Sequence, residues 1–292
     1  MEEFAGDAQI AGNLRQMGYV ALALDSRYEK VHDVLTAKGF YVLIASVWTT
    51  CLGGLLWLAP PCSSWVWMSR SSTGRHLHVL GDRAYANVRA QNALVARITY
   101  AVVLCIKRGV HWIIEQPSSS VMWDHPRLQA VLGKYKNMTY TATVELGTYN
   151  LEARKELRLV GTSPHLRALD GTKMTAEQRM YMNMDEDRKR TAKHWKTADG
   201  RPMSRATEDL KPTQSYPLGF GAANAVAFYD EGICDPTQPM QPGLRISSDD
   251  DESAGIEDLT ASDDDEYLKD LLNGIDMWEG ASEGEFAVPL LV

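Results

Sequence analysis

Between Lys38 and Arg70 the chain runs for 31 residues without a charged side chain. Length alone would admit a membrane-spanning helix, which needs about 20 consecutive apolar residues. Gly53-Gly54 and Pro60-Pro61 interrupt the run and split it into YVLIASVWTTCL and LLWLA. Paired glycines and prolines break regular structure. The pieces therefore read as a buried helix over 41–52 and a buried strand over 55–59. A strand apolar at every position belongs in the middle of a parallel sheet covered on both faces. No membrane partner is expected.

The flanking sequence alternates strand and helix signals. A short strand ends at Phe4, a helix-like stretch covers Ile10–Met17, and Tyr19–Leu24 reads as a strand ending at Asp25. A long amphipathic segment over 85–107 precedes the strand His111–Ile114. Thr139–Leu146 alternates as a strand should, Glu156–Val160 can pair with it, and Leu218–Tyr229 reads as a last helix. Such alternation predicts an α/β fold: an open, mostly parallel Rossmann-like sheet with helices on both faces. The expected core covers 1–161 and 216–232. Residues 162–215, polar and rich in Lys and Arg, form a small basic insert with a hairpin turn at Asp199-Gly200. Residues 243–292 are acidic and predicted to be disordered, although Tyr267–Trp278 has the pattern of a short amphipathic helix.

The net charge of −8 conceals a division. From Ile246 onward there are 15 acidic residues and one basic residue, Lys269, so this stretch carries −14 and the body +6. A mildly basic body leaves a nucleic-acid partner open. The four cysteines are widely spaced with no C-x-x-C pair, which points to a reducing compartment rather than a disulfide scaffold. MEEFAGDAQ lacks the features of a signal peptide. An intracellular location, nucleus or cytoplasm, is expected. His76 and His78 have no third ligand nearby, so no metal is expected.

In an open α/β sheet, ligands bind beyond the carboxyl ends of the strands, and the unusual residues collect there. Asp25 follows an apolar strand, roughly 20 residues past a small-residue turn, where a nucleotide-binding fold places its ribose-binding acid; a helix N-cap or loop carboxylate is the alternative. Residues 6–13 lack a phosphate-cradling glycine turn, which favours a ligand with an adenosine half and no phosphates. Cys62 follows two prolines that stiffen the chain. It is either a nucleophile or a buried structural thiol. Glu115 ends a buried strand in WIIEQP. Desolvation there would raise its pKa and suit it to proton donation, unless local amides satisfy it. The run Trp65–Arg75 is either a mobile loop that grips phosphate through Arg70 and Arg75 or a solvated loop covering the core.

In this order the residues resemble the cytosine-5 DNA methyltransferase family. Phe4-Ala5-Gly6 is similar to its opening cofactor motif. Asp25 and Asp33 stand where its cofactor-pocket acids lie, and Pro60-Pro61-Cys62 resembles the motif of the catalytic cysteine. Glu115 resembles the family's glutamate. YNLEARKELRLVG over 149–161 is similar to the basic motif that faces the target base, and Ala223-Asn224-Ala225-Val226 resembles the closing cofactor motif. The resemblance implies S-adenosyl-L-methionine as cofactor, held by Phe4, Gly6, Asp25, Asp33, Pro60 and Asn224. It implies DNA as partner and catalysis by Cys62, Glu115 and one of Arg154 or Arg158. The family's first strand is central, so here it is clipped or continues upstream. Asp7-Ala8-Gln9 replace the family's later glycines and Gln116-Pro117 its Asn-Val. These departures carry a second expectation: a catalytically inactive module of the same fold that binds nucleic acid or protein. A thiol hydrolase, a third expectation, lacks a histidine at a strand end.

Overall fold

The computed structural model describes residues 1–149, 154–184, 192–197, 199–200, 202–206 and 215–232. The chain divides into one compact unit over Met1–Ile246 and a second over Ser247–Val292. The second unit, the expected disordered tail with its amphipathic stretch, and parts of the expected basic insert lie outside the described residues.

The first half alternates as its hydropathy requires. Strand β1 (Glu2–Glu3) leads to helix α1 (Gln9–Gln16), strand β2 (Ala23–Leu24), helix α2 (Ala37–Thr49) and strand β3 (Leu55–Leu58). Helices α3 (Trp67–Thr73) and α4 (Ala86–Arg108) precede strand β4 (His111–Pro117). Then come α5 (Pro126–Lys134), β5 (Tyr140–Glu145), β6 (Glu156–Gly161), α6 (Leu166–Leu169), α7 (Ala176–Met184), the hairpin β7 (Ala192–Lys196) and β8 (Pro202–Ala206), and α8 (Leu218–Asp230). The uncharged run is thus shared among α2, β3 and α3. Among the described residues no helix is long and apolar enough to cross a membrane.

Six strands form one sheet in the order β2-β1-β3-β4-β6-β5. The pairings β1–β2, β1–β3 and β3–β4 are parallel, and β6 runs antiparallel to both β4 and β5. Five strands therefore share one direction, with β6 reversed among them. This is the expected open, mostly parallel α/β sheet. All four residues of β3 are buried, and alternate side chains leave the sheet on opposite faces. Trp57 and Ile113 pack with Ile10, Leu14, Phe220 and Phe228 in the core shared with α1 and α8. Leu56, Leu58, Trp112 and Ile114 are buried on the other face, which carries α2 and α4.

Three local expectations change. Of the strand expected over Tyr19–Leu24, only Ala23 and Leu24 pair, because the Tyr19 amide bonds back to Leu14 O at 3.1 Å and Val20 is 99% exposed. The loop expected over 65–75 contains α3. Leu166 and Leu169, just past the expected core boundary at 161, are buried in the same core as α8. The Asp199-Gly200 turn does join β7 to β8, with the Gly200 amide donating to Thr197 O at 2.8 Å.

Candidate active site

Register aligns Glu3 with both Leu24 and Leu58, and Leu58 with Ile114. The residues that follow, Phe4, Asp25, Ala59 and Glu115, therefore share one row at the carboxyl edge of four parallel strands. The chain leaves β1 outward to β2 and returns to β3 on the other side. This switch in direction opens the crevice where an open sheet takes its ligand. Phe4–Gly6 borders it on one side and Ala59–Cys62 on the other.

The turn after β1 is tightly wound. Phe4, Gly6 and Ala8 all have left-handed backbones, at φ 60, 58 and 53°. Only glycine adopts this freely; a strained non-glycine residue costs on the order of 1–3 kcal/mol. The residues after β2 hold the turn. The Gly6 amide donates to Asp25 Oδ2 at 2.9 Å, and the Tyr28 hydroxyl donates to Gly6 O at 2.5 Å. Arg27 reaches within 2.8 Å of where a Gly6 Cβ would stand. Asp25 is buried, and its Oδ1 accepts from Arg27 N at 2.8 Å and Nε at 3.3 Å. Three of its roughly four acceptor sites are therefore in use. A ribose at Asp25 would have to displace Arg27. That side chain is 61% exposed, so the displacement costs little. With Arg27 turned outward, Asp25 Oδ1 could accept from a ribose hydroxyl. Asp33 acts locally instead. Its Oδ1 accepts from Leu35 N at 3.0 Å, and Thr36 then caps α2 by accepting from Gly39 N at 2.9 Å.

The other border is built by Gln116. This wholly buried amide donates from Nε2 to Pro60 O at 2.5 Å and accepts from Ser120 Oγ at 3.1 Å. The loop continues as a turn in which Trp65 N and Val66 N both donate to Cys62 O, at 2.9 and 3.2 Å. The Cys62 side chain is half-buried. Burial pushes its thiol above the usual range; the Lys155 ammonium pulls it down and the Glu115 carboxylate pushes it up.

Glu115, expected to end its strand, lies inside β4 instead, because the antiparallel pairing with β6 carries the strand on to Pro117, with Glu115 opposite Leu159. Burial pushes its carboxyl up, while Lys155 and then a hydrogen bond from Tyr216 pull it down. The Tyr216 hydroxyl donates to Glu115 Oε2 at 3.1 Å and itself accepts from Trp57 Nε1 at 3.2 Å. Glu115 Oε1 is buried and has no hydrogen-bond partner among the described residues. Burial thus shifts this carboxyl toward its neutral form, with Oε2 held by Tyr216 and Oε1 without a hydrogen-bond partner among the described residues.

The arginines do not join this pair. Register sets Arg158 opposite Gln116, and Leu159 opposite Glu115, so Arg158 and Glu115 leave opposite faces of the sheet. The Arg158 guanidinium sits 4.9 Å from the Trp123 ring centroid. Arg154 is directed at Glu145, 3.5 Å away at the end of β5, two strands from Glu115. Lys155, next to Arg154 in the basic motif, is the cation that acts on both Cys62 and Glu115.

Arg75 also departs from expectation. It is buried, and its guanidinium donates to Ser64 Oγ, Val79 O and Asn92 Oδ1 at 3.1, 2.5 and 3.1 Å. A side chain so engaged holds a loop together and does not reach a phosphate. Arg70 donates to Ser119 O at 2.7 Å, which ties α3 to the turn after β4. Asn224, expected at the cofactor, is buried in α8 and donates to Phe220 O at 2.9 Å. It adjoins His165, whose pKa burial lowers to about 4 and whose charge is further opposed by His111. His111 begins β4, so Asn224 lies toward the amino end of the parallel strands, away from Cys62.

Two site residues, Lys155 and Tyr216, escape the sequence reading. Lys155 is adjacent to the arginines that drew attention. Tyr216 stands just before α8, 101 residues from Glu115, and carries no local signal. Among the described residues no group of three or more His, Cys, Asp or Glu could hold a metal ion. Compared with family models, with curated proteins and with solved structures, the chain matches none, so its site is defined by its own geometry.

Proposed function

We propose that this chain is a cytosine-5 methyltransferase-like protein acting on nucleic acid, with Cys62 as nucleophile and S-adenosyl-L-methionine as methyl donor. One observation carries the reading: Cys62, in the loop after β3, and Glu115, in the adjacent parallel strand β4, lie within mutual electrostatic range, and burial raises the Glu115 carboxyl. When bound, the cofactor would supply an electrophilic methyl group on a sulfonium. Phe4, Gly6 and Asp25 would hold its adenosine half at the switch point once Arg27 moves aside.

The chain's own residues would do the rest. Lys155 favours the Cys62 thiolate, whose sulfur adds to cytosine C6. The C5=C6 π pair shifts to C4=C5 and the C4=N3 pair takes the Glu115 proton at N3, which leaves an enamine with a nucleophilic C5. After C5 has taken the methyl group, loss of the C5 proton to a base, departure of the sulfur as thiolate and return of the N3 proton to Glu115 would restore the ring. A paired base must first leave its stack, at a cost of roughly a few kcal/mol.

Incubation with S-adenosyl-L-methionine and a duplex carrying 5-fluorocytosine should give a denaturation-resistant adduct that Cys62→Ser abolishes. Absence of calorimetric binding by the cofactor and by its demethylated product would sink the enzyme reading. A second reading, a catalytically inactive module that binds nucleic acid, is favoured by the Cys62 thiol being pushed above its ordinary range and by the engagement of Asp25. It predicts salt-dependent DNA binding without an adduct.

A further inference from the structure

We infer that the outward face of α2, with the adjoining end of α4, is a docking surface for an acidic amphipathic helix of a partner protein. The inference does not depend on the methyltransferase-like reading. Helix α2 is apolar on both sides. Phe40, Leu43 and Val47 are buried against the sheet, yet Tyr41 and Trp48, two turns apart on the opposite side with Ala45 between them, are 59% and 58% exposed. A helix that is apolar all round belongs in an interior, and contiguous exposed apolar surface marks an interaction site. The neighbouring helix holds this face in place. Arg108 donates to Trp48 O at 2.7 Å and lies 4.5 Å from the Trp48 ring centroid. Arg97 donates to Thr36 O at 3.1 Å, and Phe40 meets Tyr100 edge-on at 5.8 Å. Leu52 extends the apolar surface to Gly109, at the end of α4.

Charge selects the occupant. Residues 37–52 and 86–108 include Lys38, Arg89, Arg97, Lys107 and Arg108 and no acidic residue. Asp33 and Asp82, ahead of the two helices, are turned to the Leu35 and Ala84 amides. Lys38 and Arg97 stand at the start of α2 and Arg108 at its end, with the apolar stripe between them. A second copy of the chain fits poorly. Any two-fold pairing of these faces sets Lys38 against itself or against Lys107 and Arg108, and like charges across an interface repel. A nucleic acid fits poorly too, because its phosphate row would cross a stripe that carries no cation between its ends. An amphipathic helix with acidic flanks matches both the stripe and the charges. The exposed parts of Tyr41 and Trp48 amount to roughly 250 Å², well under the roughly 800 Å² per partner of a standard interface. The face therefore suits a short helix bound with micromolar affinity.

The test uses the full chain and a fluorescein-labelled synthetic peptide of about 18 residues, with leucines at helical spacing and glutamate at the other positions. A control peptide carries lysine in place of glutamate. By fluorescence anisotropy at low salt, the acidic peptide should bind about tenfold or more tightly than the basic one. The double variant Tyr41→Gln, Trp48→Gln should weaken that binding by about tenfold or more; both side chains are more than half exposed, so the fold should tolerate it. Leu77→Gln, at an exposed leucine outside both helices, should leave binding unchanged. Lys38→Glu, Lys107→Glu should reverse the preference between the peptides, which a change in folding alone would not do. Absence of acidic-peptide binding, equal affinity for the two peptides, or an unreversed preference overturns the inference. So does sedimentation with phosphatidylcholine–phosphatidylserine vesicles that the aromatic double variant abolishes, which would make the face a membrane contact. A dimer in sedimentation velocity that the same variant dissociates would overturn it in favour of a second copy.

Discussion

The Arg75 guanidinium lies 3.4 Å from the centroid of the Trp65 ring, so a charged side chain and an indole just downstream of Cys62 form one buried stack. Arg75 also bonds Ser64, Val79 and Asn92, joining the cysteine loop to α4. Arg75→Met should cost at least about 2 kcal/mol in urea unfolding, because it orphans several buried acceptors. Arg75→Lys should not restore it, since an ammonium cannot reproduce the planar fork. The salt dependence of DNA binding should be unchanged. A reduced slope would restore Arg75 to the phosphate-contacting role that its position in the sequence implied.

Lys155 should control the reactivity of Cys62. Its charge is the leading influence that favours the thiolate. Lys155→Gln should raise the thiol pKa further and slow iodoacetamide alkylation at pH 8 by roughly three- to tenfold, since one pKa unit is a factor of ten in thiolate. Equal rates in wild type and variant would remove Lys155 from the site.

Stability should reach a plateau in mildly acidic solution and fall on both sides. Burial raises Glu2 to about 7 and Glu3 to about 8, from an ordinary 4.5. Each binds its proton more tightly when folded, so its contribution is full below pH 4.5 and is lost as pH rises through 7 and 8. Burial lowers His125 to about 3 and His165 to about 4, from an ordinary 6.5. Their contribution is full above pH 6.5 and is lost as pH falls toward those values. Between pH 4.5 and 6.5 the two effects offset one another. Beyond those limits each group changes stability by about 1.4 kcal/mol per pH unit until its folded pKa is passed, and on the alkaline side the buried Met1 amino group, lowered from 8.0 to about 6, offsets part of the loss. Thermal melts of the Glu2→Gln, Glu3→Gln double variant should lose the alkaline limb alone.

Gly221 allows α8 to lie against α1. A Cβ at this position would stand 2.6 Å from Asn13 Nδ2 and 2.7 Å from Gln9 O. The second atom is backbone and cannot swing away. Gly221→Ala should therefore destabilise the fold by about 1–3 kcal/mol, even though alanine is the better helix former. A neutral or higher urea midpoint would show that the helices can separate freely.

Hydropathy and breakers alone determined a central buried strand over 55–59, a long helix over 85–107, and strands closing near Phe4, Asp25 and Ala59. Glu115 falls on the expected strand, but pairing with β6 extends that strand to Pro117. These properties follow from periodicity along the chain, which residue order records directly. Tertiary structure decided what each end does. Arg154 and Arg158 share a motif, yet sheet register sends Arg158 to the face opposite Glu115 and a neighbouring strand draws Arg154 to Glu145. Asn224 and Arg75 are polar residues in plausible places, but burial turns their hydrogen bonds inward. Lys155 and Tyr216 enter the site because the chain returns from β5 to β6 and from the 162–215 region to α8. Such meetings depend on burial and on the face from which a side chain leaves, and no local pattern encodes either.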